Sequence, residues 1–216
     1  MRKQPKLVKP NHLSEREWYC VLIASYFAVG RREAAKQVLS DAFKRKRIPE
    51  SLISELFLHL SLLLGFPSML EGIAALRSVA PKTKTSRRPT LSGDQVMKRG
   101  LISLKRVYGR TLERLLTNLN ALHDAVPDMI VRDVYGKIIS RPGLSLRERE
   151  VVNVVVLSIQ RLDEQLYSHI RGALRLNVSE ASLRVAIRTA SRISRSDLQV
   201  PLTLLSSLAK SRRSIR

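Results

Sequence analysis

The sequence predicts an all-α fold, and three observations carry that prediction. None of the 216 residues falls in a stretch with the sustained period-two alternation of a half-buried strand. A serine followed three residues later by glutamate, at the head of an apolar-periodic run, occurs at Ser14/Glu17 and again at Ser145/Glu148; this is the capping box of a helix start. The chain is 44% hydrophobic but only 5% aromatic, so its apolar mass is Leu, Ile, Val and Ala, which suits packed helices.

In chain order, residues 1–12 read as a basic arm carrying Arg2, Lys3, Lys6 and Lys9. A helix follows the Ser14 cap, with Trp18, Val21, Leu22 and Ser25 on one face, and ends at Gly30. A second spans about 31–46 and closes in Lys44, Arg45, Lys46 and Arg47, cations that suit the negative end of a helix dipole better than they suit a nucleic-acid site. Pro49 and Glu50 open a third through Leu56, His59, Leu60 and Leu63, broken by Gly65 and Pro67; a fourth covers about 68–76. Residues 79–93 hold Pro81, Lys82, Lys84, Arg87, Arg88, Pro89 and Gly93 without an acid and read as a linker. Helices resume over about 94–107, 110–123 and 127–138. After the Arg141-Pro142-Gly143 turn come helices opened by Ser145, Asp163 and Ser179, and Pro201 begins a last short one before a basic tail with Lys210, Arg212, Arg213 and Arg216.

Leu13-Ser14-x-Arg16-Glu17 recurs as Leu144-Ser145-x-Arg147-Glu148, and Ile48-Pro49-Glu50 as Val178-Ser179-Glu180, at offsets of 131 and 130. Near-equal offsets at helix starts point to a duplicated helical hairpin. The expected organisation is an arm (1–12), a first repeat (13–78), a linker (79–93), a second repeat with lead-in helices (94–195), and a short helix with the tail (196–216).

Lys and Arg number 39 against 18 acids, a formal net charge of +21. That bias implies either attraction to polyanions and acidic small molecules or simply a strongly solvated surface. The single cysteine, Cys20, excludes an internal disulfide, a CxxC pair and a cysteine-based metal site, and points to a reducing, cytoplasmic setting, with an organellar matrix still open. The longest apolar run, Leu56 to Phe66, is interrupted by His59 and is too short to cross a bilayer, and the basic arm lacks the apolar core of a secretory signal. No integral membrane segment is expected.

The segment Glu55-Leu-Phe-Leu-His59 through Gly65-Phe66-Pro67 resembles the Glu…His…Gly-Phe-Pro end of a carboxymuconolactone decarboxylase repeat, and Val107-Tyr108-Gly109 its lead-in. A longer match runs through Val134-Tyr135-Gly136, Arg141-Pro142-Gly143-Leu144-Ser145-x-Arg147-Glu148-Arg149 and Leu166-x-x-His169-x-x-x-Ala173-Leu174. The resemblance covers about residues 13–183. It implies the all-helical, duplicated-hairpin fold of the alkyl hydroperoxidase D-like group, a homo-oligomer (trimer or hexamer), and no cofactor or metal.

In the peroxidase branch a Glu precedes a CxxC pair and a His. Aligned on His169, those positions are Glu150, then Leu162 and Gln165, so thiol peroxidase chemistry, which needs a thiolate, is disfavoured. The decarboxylase branch needs no thiol. It implies His169 as general acid, Glu150 orienting it, and Arg149 and Arg171 holding anionic oxygens of a small lactone or related acid. With a turn near Arg161, Glu150 and His169 are separated along the hairpin by about 5 Å, within side-chain reach. His59, on the apolar face of Leu56, Leu60 and Leu63, is a secondary candidate that reads more simply as a satisfied core histidine. In the first repeat Tyr19 and Val38 occupy the positions of Glu150 and His169. After Asn177 the family's glycine and its closing Tyr-x-Gly-x-Pro are absent; Arg184, Arg188, Arg192 and Arg195 line one helical flank instead. That flank suits contact with an anionic surface or RNA, or a solvated edge covering apolar surface. Two functions therefore stand: an enzyme of the decarboxylase type, and a catalytically degenerate oligomer binding anionic partners.

Overall fold

Two helices that are buried on every side organise the molecule. The computed structural model describes residues 9–44, 48–80 and 90–214; most of the basic arm, Arg45 to Arg47, linker residues 81–89 and the tail beyond 214 lie outside the described residues. α1 (Glu15–Ala28) is buried from Glu17 through Phe27, and α7 (Leu146–Gln160) from Glu148 through Ser158. Helices buried all round belong at the centre of a core. Each starts with a complete capping box, Ser14 with Glu17 and Ser145 with Glu148.

The two N-termini are also joined to each other. Arg16 Nε donates to Glu148 Oε1 at 2.5 Å, and Arg147 Nη2 to Glu17 Oε1 at 3.5 Å. The similar Arg-Glu pairs of the two segments thus become reciprocal bridges in space. Around this centre pack α2 (Arg32–Lys44), α3 (Glu50–Val79), α8 (Asp163–Arg175), α9 (Glu180–Ser194) and α10 (Gln199–Ser214), sharing one apolar core. No strand occurs among the described residues.

α3 is a hairpin. Gly65 takes φ 78°, ψ 167° in its middle, open to glycine without strain. Arg77 Nη1 lies 3.5 Å from Glu50 Oε1, whereas 27 residues of straight helix would separate them by roughly 40 Å. α3 is long and apolar enough on length and composition to cross a membrane, but neither arm of the hairpin reaches the ~30 Å of a bilayer core. The break expected at Gly65 and Pro67 is where the chain turns. At the entry to α7, Arg141 holds Glu55 of α3 through two bonds of 2.9 Å.

A second, smaller cluster covers one side. α4 (Gly93–Tyr108) passes through a short 3₁₀ turn, Gly109–Thr111, into α5 (Leu112–Leu122); α6 (Val126–Met129) then runs into a π-helical stretch, Ile130–Ile139. The plain helix expected over 127–138 is therefore mostly of the wider type, closed by Ser140 N–H on Tyr135 O at 2.9 Å. α4 and the π stretch cross backbone to backbone: a Cβ on Gly100 would lie 2.0 Å from the Val131 carbonyl oxygen. The closing helix is longer than expected, 16 residues, with Pro201 in its first turn.

The crossing gives a stability test. Gly100→Ala overpacks backbone against backbone and is expected to cost about 1–3 kcal/mol in urea unfolding. Gly93→Ala, whose Cβ meets only Arg132 Nη1 at 3.7 Å, is expected to stay within about 0.5 kcal/mol. Equal midpoints for the two variants would show that the close approach is not maintained in solution.

Candidate active site

α7 and α8 form an antiparallel hairpin whose turn is Arg161, in the left-handed conformation at φ 58°. This places Glu150 and His169 side by side: His169 Nδ1 is 2.9 Å from Glu150 Oε2. Gly172 makes room, since a Cβ there would stand 3.0 Å from the same oxygen. Glu150 is buried, 1% exposed, while the His169 side chain is 19% exposed. The carboxylate therefore backs the imidazole and leaves Nε2 as the nitrogen available to a ligand.

Behind this pair lies a polar chain through the apolar interior. Asn153 Nδ2 donates to Glu150 Oε1 at 3.2 Å, and Asn153 Oδ1 is 2.8 Å from His59 Nε2. Burial, then the nearby Arg149 guanidinium, push His59 down to about 3. His59 is thus neutral, and a proton on Nε2 suits the Asn153 oxygen, leaving Nδ1 as the atom without a partner among the described residues. The directions then agree throughout: His59 donates to Asn153, Asn153 to Glu150, and His169 Nδ1–H to Glu150. Asn153 Nδ2 also lies 3.1 Å from His169 Nδ1, but with the Nδ1 proton given to Glu150 two donors face each other there, so the Asn153 amide bonds the carboxylate and only packs against the ring.

His169 and Asn153 open onto a cavity of about 530 Å³. Its walls are mostly apolar: Leu62 and Leu63 from α3, Leu115 and Leu119 from α5, and Ile130, Val134 and Ile139 from the π stretch. The wide turns set those three residues on one face with Tyr135. The Tyr135 and Tyr108 hydroxyls are 3.5 Å apart, and burial raises both, Tyr108 to about 12 and Tyr135 well above its usual value. Both stay protonated donors at neutral pH. Leu162 and Gln165, the two positions where the peroxidase branch has cysteines, line the same cavity. Cys20 is fully buried elsewhere, and burial pushes its thiol far up, so it is no nucleophile.

The two arginines expected beside His169 are not there. Arg149, next to Glu150 in sequence, points about 100° away on the helix. It is fully buried at 4.0 Å from Glu55, donates to the Arg141 carbonyl, and is pushed down to about 10 by burial. Arg171 lies on the opposite side of α8 from His169 and stacks over Tyr167 at 5.6 Å. Among the described residues, no Lys or Arg lines the His169 cavity. On α9, Arg184 is tied to Glu180 and to Ser206 of α10, while Arg188 and Arg192 are exposed. In the first half, the Tyr19 hydroxyl donates to Asp41 Oδ2 at 2.9 Å.

Asn153 is the member of this site that the sequence reading did not single out. Its signal is a lone amide inside Val151 to Val156, three residues from Glu150 on the same helix face.

Comparison with known proteins identifies the family. The sequence model of the carboxymuconolactone decarboxylase family matches residues 130–197, which contain Glu150, Asn153 and His169. A protein of Schizosaccharomyces pombe named peroxisomal protein 2 is 23% identical over 198 residues, 88% of each chain. The 4-carboxymuconolactone decarboxylase of Acinetobacter baylyi is 30% identical over 98 residues, 45% of this chain and 73% of the relative.

The neutral, buried His59 ties stability to pH. Its ordinary value, 6.5, applies once the chain unfolds. Above that pH neither state binds the proton and stability is complete. As pH falls from 6.5 toward 3, the unfolded chain takes up a proton that the fold refuses, and stability drops by up to about 1.4 kcal/mol per pH unit. Denaturant titrations across this range are expected to give a shallower dependence for His59→Gln; an unchanged slope would reject the neutral buried histidine.

Proposed function

The chain belongs to the carboxymuconolactone decarboxylase family, and from that premise we propose that it decarboxylates an acid whose apolar body occupies the His169 cavity. The observation that carries this reading is the His169 imidazole, held through Nδ1 by buried Glu150 at 2.9 Å with its other nitrogen left for the cavity. As the bond to the carboxylate breaks, its electron pair passes into the adjoining carbonyl system and CO2 leaves. The Tyr108 hydroxyl, itself accepting from Tyr135, donates to the oxygen that gains charge. His169 Nε2 then returns a proton to carbon, and Glu150 stabilises the imidazolium that makes the transfer. Apolar walls favour loss of a carboxylate as a neutral gas.

A second reading, a binding protein that has lost turnover, is favoured by one observation: among the described residues no cation lines the cavity to pair with a small multiply charged lactone. Its anionic partners, RNA or an acidic surface, would meet the exposed Arg188 and Arg192 instead, and an RNA gel shift at low salt separates the readings. For assembly we keep the homo-oligomer: Phe66, Leu70, Leu122 and Met129 are 68%, 61%, 80% and 55% exposed, apolar surface that further copies would cover. Location follows either the buried thiol, toward the cytoplasm, or the fission-yeast relative's name, toward an organelle.

Loss of ultraviolet absorbance of 4-carboxymuconolactone is the direct assay. His169→Ala is expected to lower kcat by about 10²–10⁴. Asn153→Leu is expected to lower it about tenfold, the kinetic equivalent of one hydrogen bond. Activity that survives His169→Ala rejects the donor role, and a wild-type chain inert toward the lactone while shifting RNA supports the second reading. In sedimentation at micromolar concentration the chain is expected to run as a trimer or hexamer, and a monomer would overturn the assembly.

A further inference from the structure

A cleft of about 600 Å³ runs between α8 and α10, separate from the His169 cavity. Arg171, Arg175 and Arg212 line it, and among the described residues no acid does. Arg212 is fixed in place, bonded to the Leu174 carbonyl and, at 3.1 Å, to Asn177 Oδ1. Arg171 and Arg175 stand four residues apart on α8, a like-charge spacing that weakens a helix, and neither forms an ion pair among the described residues. The Arg175 guanidinium lies over Gly109, where a Cβ would come within 2.4 Å of it. Part of the charge suits the C-terminal end of the α8 dipole, but the exposed Arg171 and Arg175 on one cleft, with no acid paired to either among the described residues, offer the forked donors that phosphate oxygens fit.

The cleft connects toward the active site. A small cavity of about 60 Å³ shares Arg171 and Arg175 with the cleft, and Tyr108 and Ser168 with the His169 cavity. From His169 to Arg175 the rise along α8 is about 9 Å. Among the described residues no cation lines the His169 cavity, whereas Arg171 and Arg175 line the cleft, so apolar and anionic binding are divided between adjoining spaces.

We propose that the cleft between α8 and α10 binds the phosphate end of an elongated ligand whose apolar end enters the His169 cavity. The apolar half rests on reading that cavity as the substrate chamber; the phosphate half does not. The class of ligand is a diphosphate bearing a hydrocarbon or acyl arm.

Calorimetric titration of the full chain tests each half. Pyrophosphate is the probe for the cleft. It is expected to bind, and Arg171→Ala/Arg175→Ala is expected to weaken it at least tenfold, with weaker binding at high salt. Arg188→Ala/Arg192→Ala removes the same charge from the α9 surface and is expected to change affinity less than threefold, as is His169→Ala. No binding of pyrophosphate, or equal losses in the two arginine pairs, overturns the site whatever the decarboxylase assay gives. Decyl diphosphate probes the connection: it is expected to bind at least tenfold tighter than pyrophosphate, and Ser168→Phe, at the junction, to abolish that gain while leaving pyrophosphate binding intact. A decyl chain that adds no affinity overturns the link alone.

Discussion

The Glu150 carboxylate is the constraint on which this molecule's chemistry depends. A charge taken out of water is costly unless donors replace the lost solvent. Glu150 is almost entirely buried in a valine-rich helix, and two donors converge on it, the Asn153 amide and the His169 ring. The same contacts that make the burial tolerable fix the imidazole's orientation and tautomer. Asn153 is in turn held by His59, whose own burial keeps it neutral. The site is thus the outer end of a network whose innermost member, His59, does not line the cavity.

That network crosses the two halves of the chain. His59 comes from α3, Asn153 and Glu150 from α7, His169 from α8. In the first half Tyr19 of α1 bonds Asp41 of α2, and α3 contributes the supporting histidine. The cavity's far wall is supplied by neither hairpin but by α5 and the π stretch, whose wide turns align Ile130, Val134, Tyr135 and Ile139. π segments often accompany functional sites, and here the irregularity has a visible use.

Much of the fold was legible because caps and breakers act locally. Ser14, Ser145 and Ser179 start helices where their side chains predict, and the α3 turn occurs at Gly65. The Glu150–His169 contact was legible as well, because hairpin length is additive in residues. What escaped the sequence depends on direction. Arg149 looked suited to bind substrate because it adjoins Glu150, yet one residue turns a side chain by about 100° and buries this one against Glu55. Arg171 failed for the same reason on α8. The π stretch was read as an ordinary helix because apolar spacing alone does not distinguish the two.

The bridges between α1 and α7 have a consequence for how the chain acquires order. Glu17 and Glu148 each serve two partners: Oε2 takes the N–H of the helix's own cap serine, and Oε1 takes an arginine from the opposite helix, with Arg16 reaching Glu148 Oε2 as well. A helix end can ordinarily fray without disturbing its neighbours. Here loosening one cap releases an arginine more than a hundred positions away in sequence, so initiation of either central helix and the mating of the two halves behave as a single cooperative event.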